Sequence, residues 1–577
     1  MSEAAPWPAR SVAESIALLT APGAPFEMRT AQVGGRTVRA YVHAKRDLRQ
    51  IFDESRRFGE RDLLLFEGER LSFEAHWRAA AAFGRALIEA FGVAKGDRVA
   101  LAMRNFPEWS ICAWGALAVG AVLAPLNAWE PGRSLAGMVR DSDAKVLVVD
   151  AERLARLAPE IPGLGDVAVI VARGGGEAVA GERLLTDLIG PPSGYAELPD
   201  APLPDPGVSP DDPATLFFTS GTTGTSKGAL GSHRNVVTNL VNTGFRAARA
   251  AVRRGEPHPP LSPAAPARRV QLLPLPFFHV TGFHSALVPA LANGATLALM
   301  YRWDAAAALA LIEREQIAVL TLVPTQAWQL VDEAEGGGRA LGSVEAVGYG
   351  GAAAAPELAA RVRNVFPNAF PGQGYGATET SSLVAANSHE DMMNRPGSVG
   401  IAVPCCDLRV ADAGGRDVAP GQAGELWVSG PNVIQGYWNA PAATEEAFAG
   451  GWYRTGDIVR IDAEGFVTVL DRVKDMLIRG GENIYCVEIE DVLMSHGAVA
   501  EAAVLGVPDR VMGEVVGAIV RLRAGMTCEP RELIDYVGER LAAHKVPAIL
   551  RVRSEPFPRN ATGKTLKRDL REEMLGP

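Results

Sequence analysis

Short unbroken apolar runs alternate with longer helical stretches through the first half of the chain. The run at 63–66 is followed by an Ala-rich stretch around 74–90 and a second apolar run at 98–103, and the runs at 145–149 and 167–171 repeat the pattern. Unbroken apolar runs separated by helix-sized intervals are strands buried on both faces, so this rhythm predicts a mostly parallel sheet flanked by helices. It resumes at 270–273, 295–299, 319–322 and 345–347. Around 398–470 the pattern turns β-rich, with short strands at 408–410, 425–428, 458–461 and 466–470 and Gly and Asp at the turns. A compact α/β segment follows from 475 to 577. Pro-rich, charged loops occupy 194–213 and 253–269, and no internal repeat is visible.

The longest apolar stretch, 110–128, has nearly the length of a membrane span. Gly115, Gly120 and Pro125 interrupt it, which predicts a buried helix ending near Gly120 and a short buried strand at 121–124. At 577 residues the chain exceeds a single core and requires at least two domains. Net charge is −10 with both signs interspersed, and no basic stripe marks a nucleic-acid partner. Five cysteines without C-x-x-C spacing argue against a zinc site or a disulfide framework and suit a reducing cytoplasm. The first residues carry no basic segment followed by an apolar stretch, so a cytoplasmic location is expected. Peripheral membrane contact and a homodimer are compatible with the sequence.

Residues 219–230 read Thr-Ser-Gly-Thr-Thr-Gly-Thr-Ser-Lys-Gly-Ala-Leu, directly after the apolar Leu216, Phe217 and Phe218. Glycines let backbone N–H groups converge into a nest that binds anions. Hydroxyls and Lys227 add donors and a point charge suited to phosphate. A P-loop would need the hydroxyl after its lysine. Here Ser226 precedes Lys227 and Gly228 follows it, so that reading fails and an anion cradle before a helix-like run at 235–240 remains.

Four further motifs follow. Gln373-Gly-Tyr-Gly-Ala-Thr-Glu379 sets an aromatic between Gly374 and Gly376, a flat face that suits stacking on a purine, with Thr378 and Glu379 next to it. A carboxylate beside a phosphate nest can hold magnesium, which takes oxygen ligands. Gly424-Glu-Leu-Trp, Gly-Tyr437-Trp and Gly451-Trp-Tyr-Arg-Thr-Gly-Asp457 form the third. The fourth is Asp471-Arg-Val-Lys-Asp-Met-Leu-Ile-Arg-Gly-Gly-Glu-Asn-Ile-Tyr-Cys-Val-Glu-Ile-Glu490, and Arg559-Asn-Ala-Thr-Gly-Lys564 closes the set.

Five motifs in this order resemble the adenylate-forming enzymes, in their acyl-CoA synthetase branch, over nearly the full length. The resemblance implies a large N-terminal α/β domain (1–470) of parallel-type sheets plus a β-rich subdomain, a hinge at 471–474, and a small mobile α+β domain (475–577). It implies ATP, CoA and Mg²⁺, and a carboxylic acid activated as acyl-AMP and passed to CoA. Thr219, Ser220, Gly221, Thr222, Thr223, Gly224 and Lys227 would then cradle the triphosphate, Glu379 would hold Mg²⁺ beside Thr378, and Gly350, Gly351 and Ala352 would lie beside adenine with Gly374, Tyr375 and Gly376. Asp457 would accept from the ribose hydroxyls, Arg472 would contact ribose or phosphate, and Lys474 would mark the hinge. Gly480 and Gly481 would line the pantetheine channel, and Lys564 would act in adenylation. His279 matches a histidine near the substrate carboxylate, with Phe278, Thr281 and Phe283 as pocket or gate residues. Cys486 stands where the family commonly has proline, a departure expected to loosen one backbone constraint without touching the chemistry.

No buried cation for a second carboxylate is evident near 279–284 or 349–353, and the pocket candidates are small or apolar. A medium- or long-chain fatty acid is the expected substrate. The alternatives are an aryl acid, or an acyl-AMP ligase that loads a carrier protein. No aspartate lies within 280–285 to meet an amino acid's ammonium, and no carrier domain is expected after Pro577.

Overall fold

The computed structural model describes residues 7–174, 182–219, 226–260, 268–335, 337–351, 356–480, 482–559 and 565–576. A seven-stranded sheet runs in the order Lys227–Ser232, Pro213–Thr219, Val122–Pro125, Arg98–Ala102, Ala144–Asp150, Ala168–Ala172, Glu182–Leu184. Every pairing in it is parallel except the first. A second, larger sheet is parallel from Asp62–Phe66 through Thr296–Leu299, Val270–Leu273, Val319–Leu322 and Ala346–Gly350 to Phe370–Ala377. There the chain doubles back into Ser382–Ser388, and Gly400–Ala402, Phe466–Arg472, Trp452–Ile461, Gly424–Ser429 and Asp407–Ala411 extend the same sheet antiparallel. The β-rich region expected as a subdomain is thus the antiparallel end of this sheet. Phe466–Arg472 is its last strand in sequence. The next strand, Leu477–Arg479, belongs to a separate five-stranded sheet with Glu482–Ile484, Gly513–Leu522, Val499–Asp509 and Ile549–Arg553. The architecture is a large N-terminal α/β domain followed by a small C-terminal one.

Local signals explain where elements begin and stop. The helix Phe73–Phe91 starts where Ser72 accepts from the Ala75 N–H and ends at Gly92 with φ +59°. The run at 110–128 resolves as a helix, Pro107–Ala118, buried on every face, then Gly120 at φ +77° and the strand Val122–Pro125. Among the described residues no helix is long and apolar enough to cross a membrane. The helix expected at 235–240 runs much further, His233–Arg253, from a capping box of Ser232 and Asn235. Its buried face includes Asn235, Asn239, Asn242 and Arg249, so the apolar period that would reveal its length is broken.

Behind the segment that carries His279 the core is aromatic. The Trp109 ring centroid lies 5.1 Å from Phe277 and 5.7 Å from Phe283, and Phe283 also meets Trp114 at 6.0 Å and Phe217 at 6.2 Å. Phe283 is fully buried among these rings, so it is a core residue and not the pocket residue expected. Truncating such a ring costs about 3–5 kcal/mol.

Five histidines are held neutral by burial. Desolvation lowers His76 and His284 to about 3, and His233, His279 and His389 to about 4. The unfolded chain binds these protons near pH 6.5, so their contribution is complete above that pH. It is lost as pH falls towards 4, at about 1.4 kcal/mol per histidine per pH unit inside the window. Asp491, pushed up to about 7 by burial, runs the other way and is outnumbered. The urea midpoint is therefore expected to be lower at pH 5 than at pH 7.5. An equal or higher midpoint at pH 5 would contradict the neutral, buried state of these rings.

Candidate active site

The strands that flank the predicted phosphate cradle pair antiparallel. Thr219 and Lys227 face each other at the open end of an antiparallel pair. Ser226 Oγ donates to Thr219 O at 3.0 Å, and Thr219 Oγ1 donates to Lys227 O at 3.4 Å. A Cβ on Gly228 would come 2.8 Å from Leu216 Cδ1, so a larger residue there would have to move the Leu216 side chain. The sequence pattern placed a helix soon after this loop, but the small residues at 228–231 first pair with Thr215–Phe218 as a strand. Ser220, Gly221, Thr222, Thr223 and Gly224 lie outside the described residues, as do Ala352, Gly481 and Lys564.

Opposite the hairpin, two strands of the larger sheet approach each other through glycines. Gly350 pairs with Gly374, and a Cβ on Gly350 would stand 2.8 Å from Gly374 O. One on Gly376 would overlap Ser382 O at 1.4 Å. Gly351 has φ +80°. Here bare backbone is left for a planar group to approach.

Tyr375 sits between these glycines, with its hydroxyl donating to Asp457 Oδ2 at 2.6 Å. Asp457 faces Arg472 across the sheet, and Arg472 Nε lies 3.1 Å from Asp457 Oδ1. Burial and then the Asp457 charge push the Tyr375 phenol well up. Burial lowers the Arg472 guanidinium but Asp457 and Asp475 outweigh it, so it is held protonated. Lys474 lies in the turn that follows. Gly480 has φ +59° and its N–H donates to Met512 O at 2.8 Å.

Glu379 is buried, and its Oε1 accepts from the Tyr437 hydroxyl at 2.7 Å. Tyr437 is a site residue whose role the sequence left unread. Its ring lies 5.3 Å from Lys227 Nζ, and its backbone bridges to Ala229. Lys227, Tyr437 and Glu379 therefore form one chain of contacts. Tyr453, buried between this chain and the Tyr375–Asp457 pair, has its phenol raised by burial and then by Glu379, the two tyrosines and Asp457. Thr378 stands half-buried at the start of the same turn as Glu379. An oxygen-only donor set of this kind suits a magnesium–phosphate group.

His279 caps the strand-to-helix passage after Val270–Leu273, with its ring 4.8 Å from Phe278. Its Nε2 is buried and has no hydrogen-bond partner, and burial lowers the ring to about 4. A buried imidazole nitrogen left unpaired costs free energy unless a ligand satisfies it. Trp129 meets Phe278 edge-on at 5.9 Å, with Arg104 over its ring at 5.0 Å.

Residues 51–438 match the family model described as AMP-binding enzyme, and residues 488–564 match the AMP-binding enzyme C-terminal domain. The chain is 33% identical over 489 residues to a feruloyl-CoA synthase of Amycolatopsis sp, covering 84% of this chain and 91% of the relative. It is 32% identical over 541 residues to a long-chain-fatty-acid–CoA ligase of Yersinia pestis, covering 90% and 92%. Among solved structures, o-succinylbenzoate coenzyme A synthetase of Bacillus subtilis in complex with ATP and magnesium ion superposes with TM-score 0.73 at 29% identity, over 90% of this chain and 98% of that one.

The glycine contacts make a direct test. Gly376→Ala is expected to destabilise by at least about 1–3 kcal/mol, because its Cβ has no room against Ser382 O. Gly397→Ala, where a Cβ meets nothing within 4 Å, should stay within about 0.5 kcal/mol. Urea midpoints measure both. Equal midpoints for the two variants would refute the close approach.

Proposed function

Since the chain belongs to the AMP-binding enzyme family, as an ATP-dependent, AMP-forming acid–CoA ligase, we propose that its acid is a compact aromatic or arylalkenoic acid. The observation that carries the choice is the wall of packed rings behind His279. Trp109, Trp114, Phe217, Phe277 and Phe283 are buried and in ring contact on that side, and an extended alkyl chain entering there would have to displace them. Phe278 and Trp129 offer ring faces and edges to a flat acid. A medium- or long-chain fatty acid is the second reading, favoured by the long-chain relative that aligns over 90% of the chain.

The chemistry follows from the acid's own reluctance. A carboxylate repels nucleophiles and has no good leaving group, so one of its oxygens attacks the α-phosphorus of ATP and pyrophosphate leaves. Negative charge gathers on phosphate oxygens, where preorganised donors act best. Thr219 to Gly224 with Lys227 would hold the triphosphate, and Glu379 would hold Mg²⁺. Magnesium, when bound, neutralises charge on the phosphate oxygens. Gly350, Gly351, Ala352, Gly374, Tyr375 and Gly376 flank adenine, while Asp457 and Arg472 take the ribose side. His279, neutral at working pH, donates or accepts through Nε2 beside the carboxylate without adding charge. Lys564 bridges carboxylate and α-phosphate. In the second step the CoA thiol, losing its proton, attacks the acyl carbon, the thioester forms and AMP leaves.

The switch between steps assigns the large domain to 1–470, the hinge to 471–474 and the mobile domain to 475–577. The end of the last large-sheet strand at Arg472 supports that division. After the swing, the Gly480–Gly481 loop lines the pantetheine path.

Two experiments test this reading. AMP formation from ATP is expected to require CoA, and kcat/KM should be highest for cinnamate- or benzoate-type acids in a series that also runs through alkanoic acids of increasing length. A maximum at medium or long alkyl chains would overturn the aromatic assignment in favour of the second reading. Lys564→Ala should lower acyl-adenylate formation by about 10²–10³ while thioester formation from supplied acyl adenylate persists. Equal loss in both half-reactions would remove Lys564 from its separate role.

A further inference from the structure

The turn that carries Glu379 is strained. Immediately after it the backbone adopts φ +51° at Ser381 and φ +98° at Ser382, in the left-handed half of conformational space. Such conformations persist where the surroundings over-determine them, and they cluster at functional sites. Here three separate elements grip the turn.

From the helix His233–Arg253, Asn239 Oδ1 accepts from the Leu383 N–H at 2.9 Å, and Asn239 Nδ2 donates to His284 O at 2.9 Å and to Ser285 Oγ at 3.3 Å. The helix that follows His279 contains a π-turn, Phe283–Leu287, whose extra residue turns both His284 and Ser285 towards this loop. His284 Nδ1 bonds to Ser381 O at 3.2 Å, which places the ring proton on Nδ1, and Ser285 Oγ shares a 2.7 Å hydrogen bond with Ser382 Oγ. From the far side, Asn432 Nδ2 donates to Thr380 O at 3.0 Å, and the Ile434 N–H donates to Glu379 O at 2.9 Å.

Asn239 and Asn432 are completely buried and His284 nearly so. An interior polar network of this size is a costly way to fill space, and it returns geometry in exchange. Neither Asn239 nor Ser285 bonds to Lys227, Tyr437, Asp457 or the Glu379 carboxylate. Their bonds end on the backbone and hydroxyl of the turn and on each other's segments.

We propose that Asn239, acting with His284 and Ser285 of the π-turn, is the positioning residue for Glu379: it clamps the strained Ser381–Ser382 turn and so aims the carboxylate. This rests on the reading of Glu379 as the carboxylate that holds Mg²⁺ at the triphosphate. Loss of the clamp lets the turn relax and moves the carboxylate off its line.

The test compares Asn239→Ala, Ser285→Ala, Glu379→Gln and the double variant Asn239→Ala/Ser382→Gly. In Asn239→Ala, amide hydrogen exchange over 380–383 in the ligand-free protein should accelerate at least about tenfold, since opening of the turn no longer breaks the Asn239 bond. Pyrophosphate-forming kcat should fall by up to about 100-fold, the size of loss that misplacement from a distant change produces. The Mg²⁺ concentration for half-maximal rate should rise, while thioester formation from supplied acyl adenylate stays within about twofold, because that step does not use the Glu379 site. Glycine adopts φ +98° freely, so Ser382→Gly in the Asn239→Ala background should recover part of the loss. Ser285→Ala, a milder change, should show the same pattern to a smaller degree and serves if Asn239→Ala does not fold.

An equal fall in both half-reactions, with unchanged exchange over 380–383 and unchanged Mg²⁺ requirement, overturns the proposal. If Glu379→Gln itself leaves the Mg²⁺ requirement unmoved, the reading of Glu379 fails and the proposal fails with it. If Glu379→Gln moves that requirement and neither Asn239→Ala nor Ser285→Ala does, the positioning role alone is refuted.

Discussion

The hydrogen bond from the Tyr437 hydroxyl to Glu379 is where the two large sheets are fastened together at the site. Glu379 follows the outermost parallel strand of the larger sheet, whereas Tyr437 is bound by backbone to the cradle hairpin of the smaller one. Ala229 bridges to Tyr437, the Leu230 N–H donates to Gly436 O, and the Trp438 N–H donates to Gly228 O. A buried carboxylate needs a donor, and a hydrogen bond to a charged group contributes about 1.5–3 kcal/mol. This donor comes from the other sheet, so the distance between cradle and carboxylate is set by one side chain. Lys227 over the same ring adds a cation to the junction. The proposed triphosphate and metal sites are thus joined through Tyr437, and the Ile434 N–H on Glu379 O adds a second tie from the same segment.

The helix His233–Arg253 separates a dry side of the site from a polar one. Val236 and Val237 belong to the core cluster that holds Trp109 and Phe283, while Asn239 and Asn242 turn to the Glu379 loop. On the dry side the rings pack together, and burial keeps His279 neutral. On the polar side the left-handed turn at Ser381 and Ser382 is held by an amide, an imidazole and a hydroxyl. The proposed acid and polyphosphate sites need opposite surroundings, and the two faces of one helix supply them.

Much of this was legible in the sequence, because the cues were local. Buried strands such as Ala144–Asp150 and Val319–Leu322 announce themselves by short runs rich in Val and Leu, and the break in 110–128 was placed correctly by Gly120 and Pro125. Tyr375, Glu379, Asp457 and Arg472 were singled out, and the fold brings Tyr375, Asp457 and Arg472 into one contact set and Glu379 into the adjoining one. What escaped depends on contacts far apart in the chain. Tyr437 is 58 residues from Glu379, and Asn239 is 144 from Leu383. Nothing local distinguishes an asparagine that clamps a loop from one facing solvent. The length of the helix from His233 was hidden for the same reason, since its buried positions are polar. Phe283 misled in the opposite sense: its place beside His279 in sequence implied a pocket, and tertiary packing sent it into the core.

Cys486 illustrates how a departure from a family pattern acquires meaning only in three dimensions. Proline at the first position of a helix fixes φ and gives up an N–H that the helix cannot use. Cysteine in that position was expected to loosen the backbone. Instead its N–H donates to Asp471 Oδ2, and its thiol donates to Asp475 O at 3.2 Å. Asp471 lies on the last strand of the larger sheet, and Cys486 opens the helix Cys486–Met494 that packs on the small one. The bond spans the proposed hinge, where the Val473 N–H also donates to Gly456 O at 2.9 Å. A proline would have removed the donor and left the Asp471 carboxylate, whose pKa burial already raises, with one partner fewer. In this chain the residue that frees φ also supplies a tie across the hinge. Any rotation about 471–474 that parts the strand from the helix has to break it.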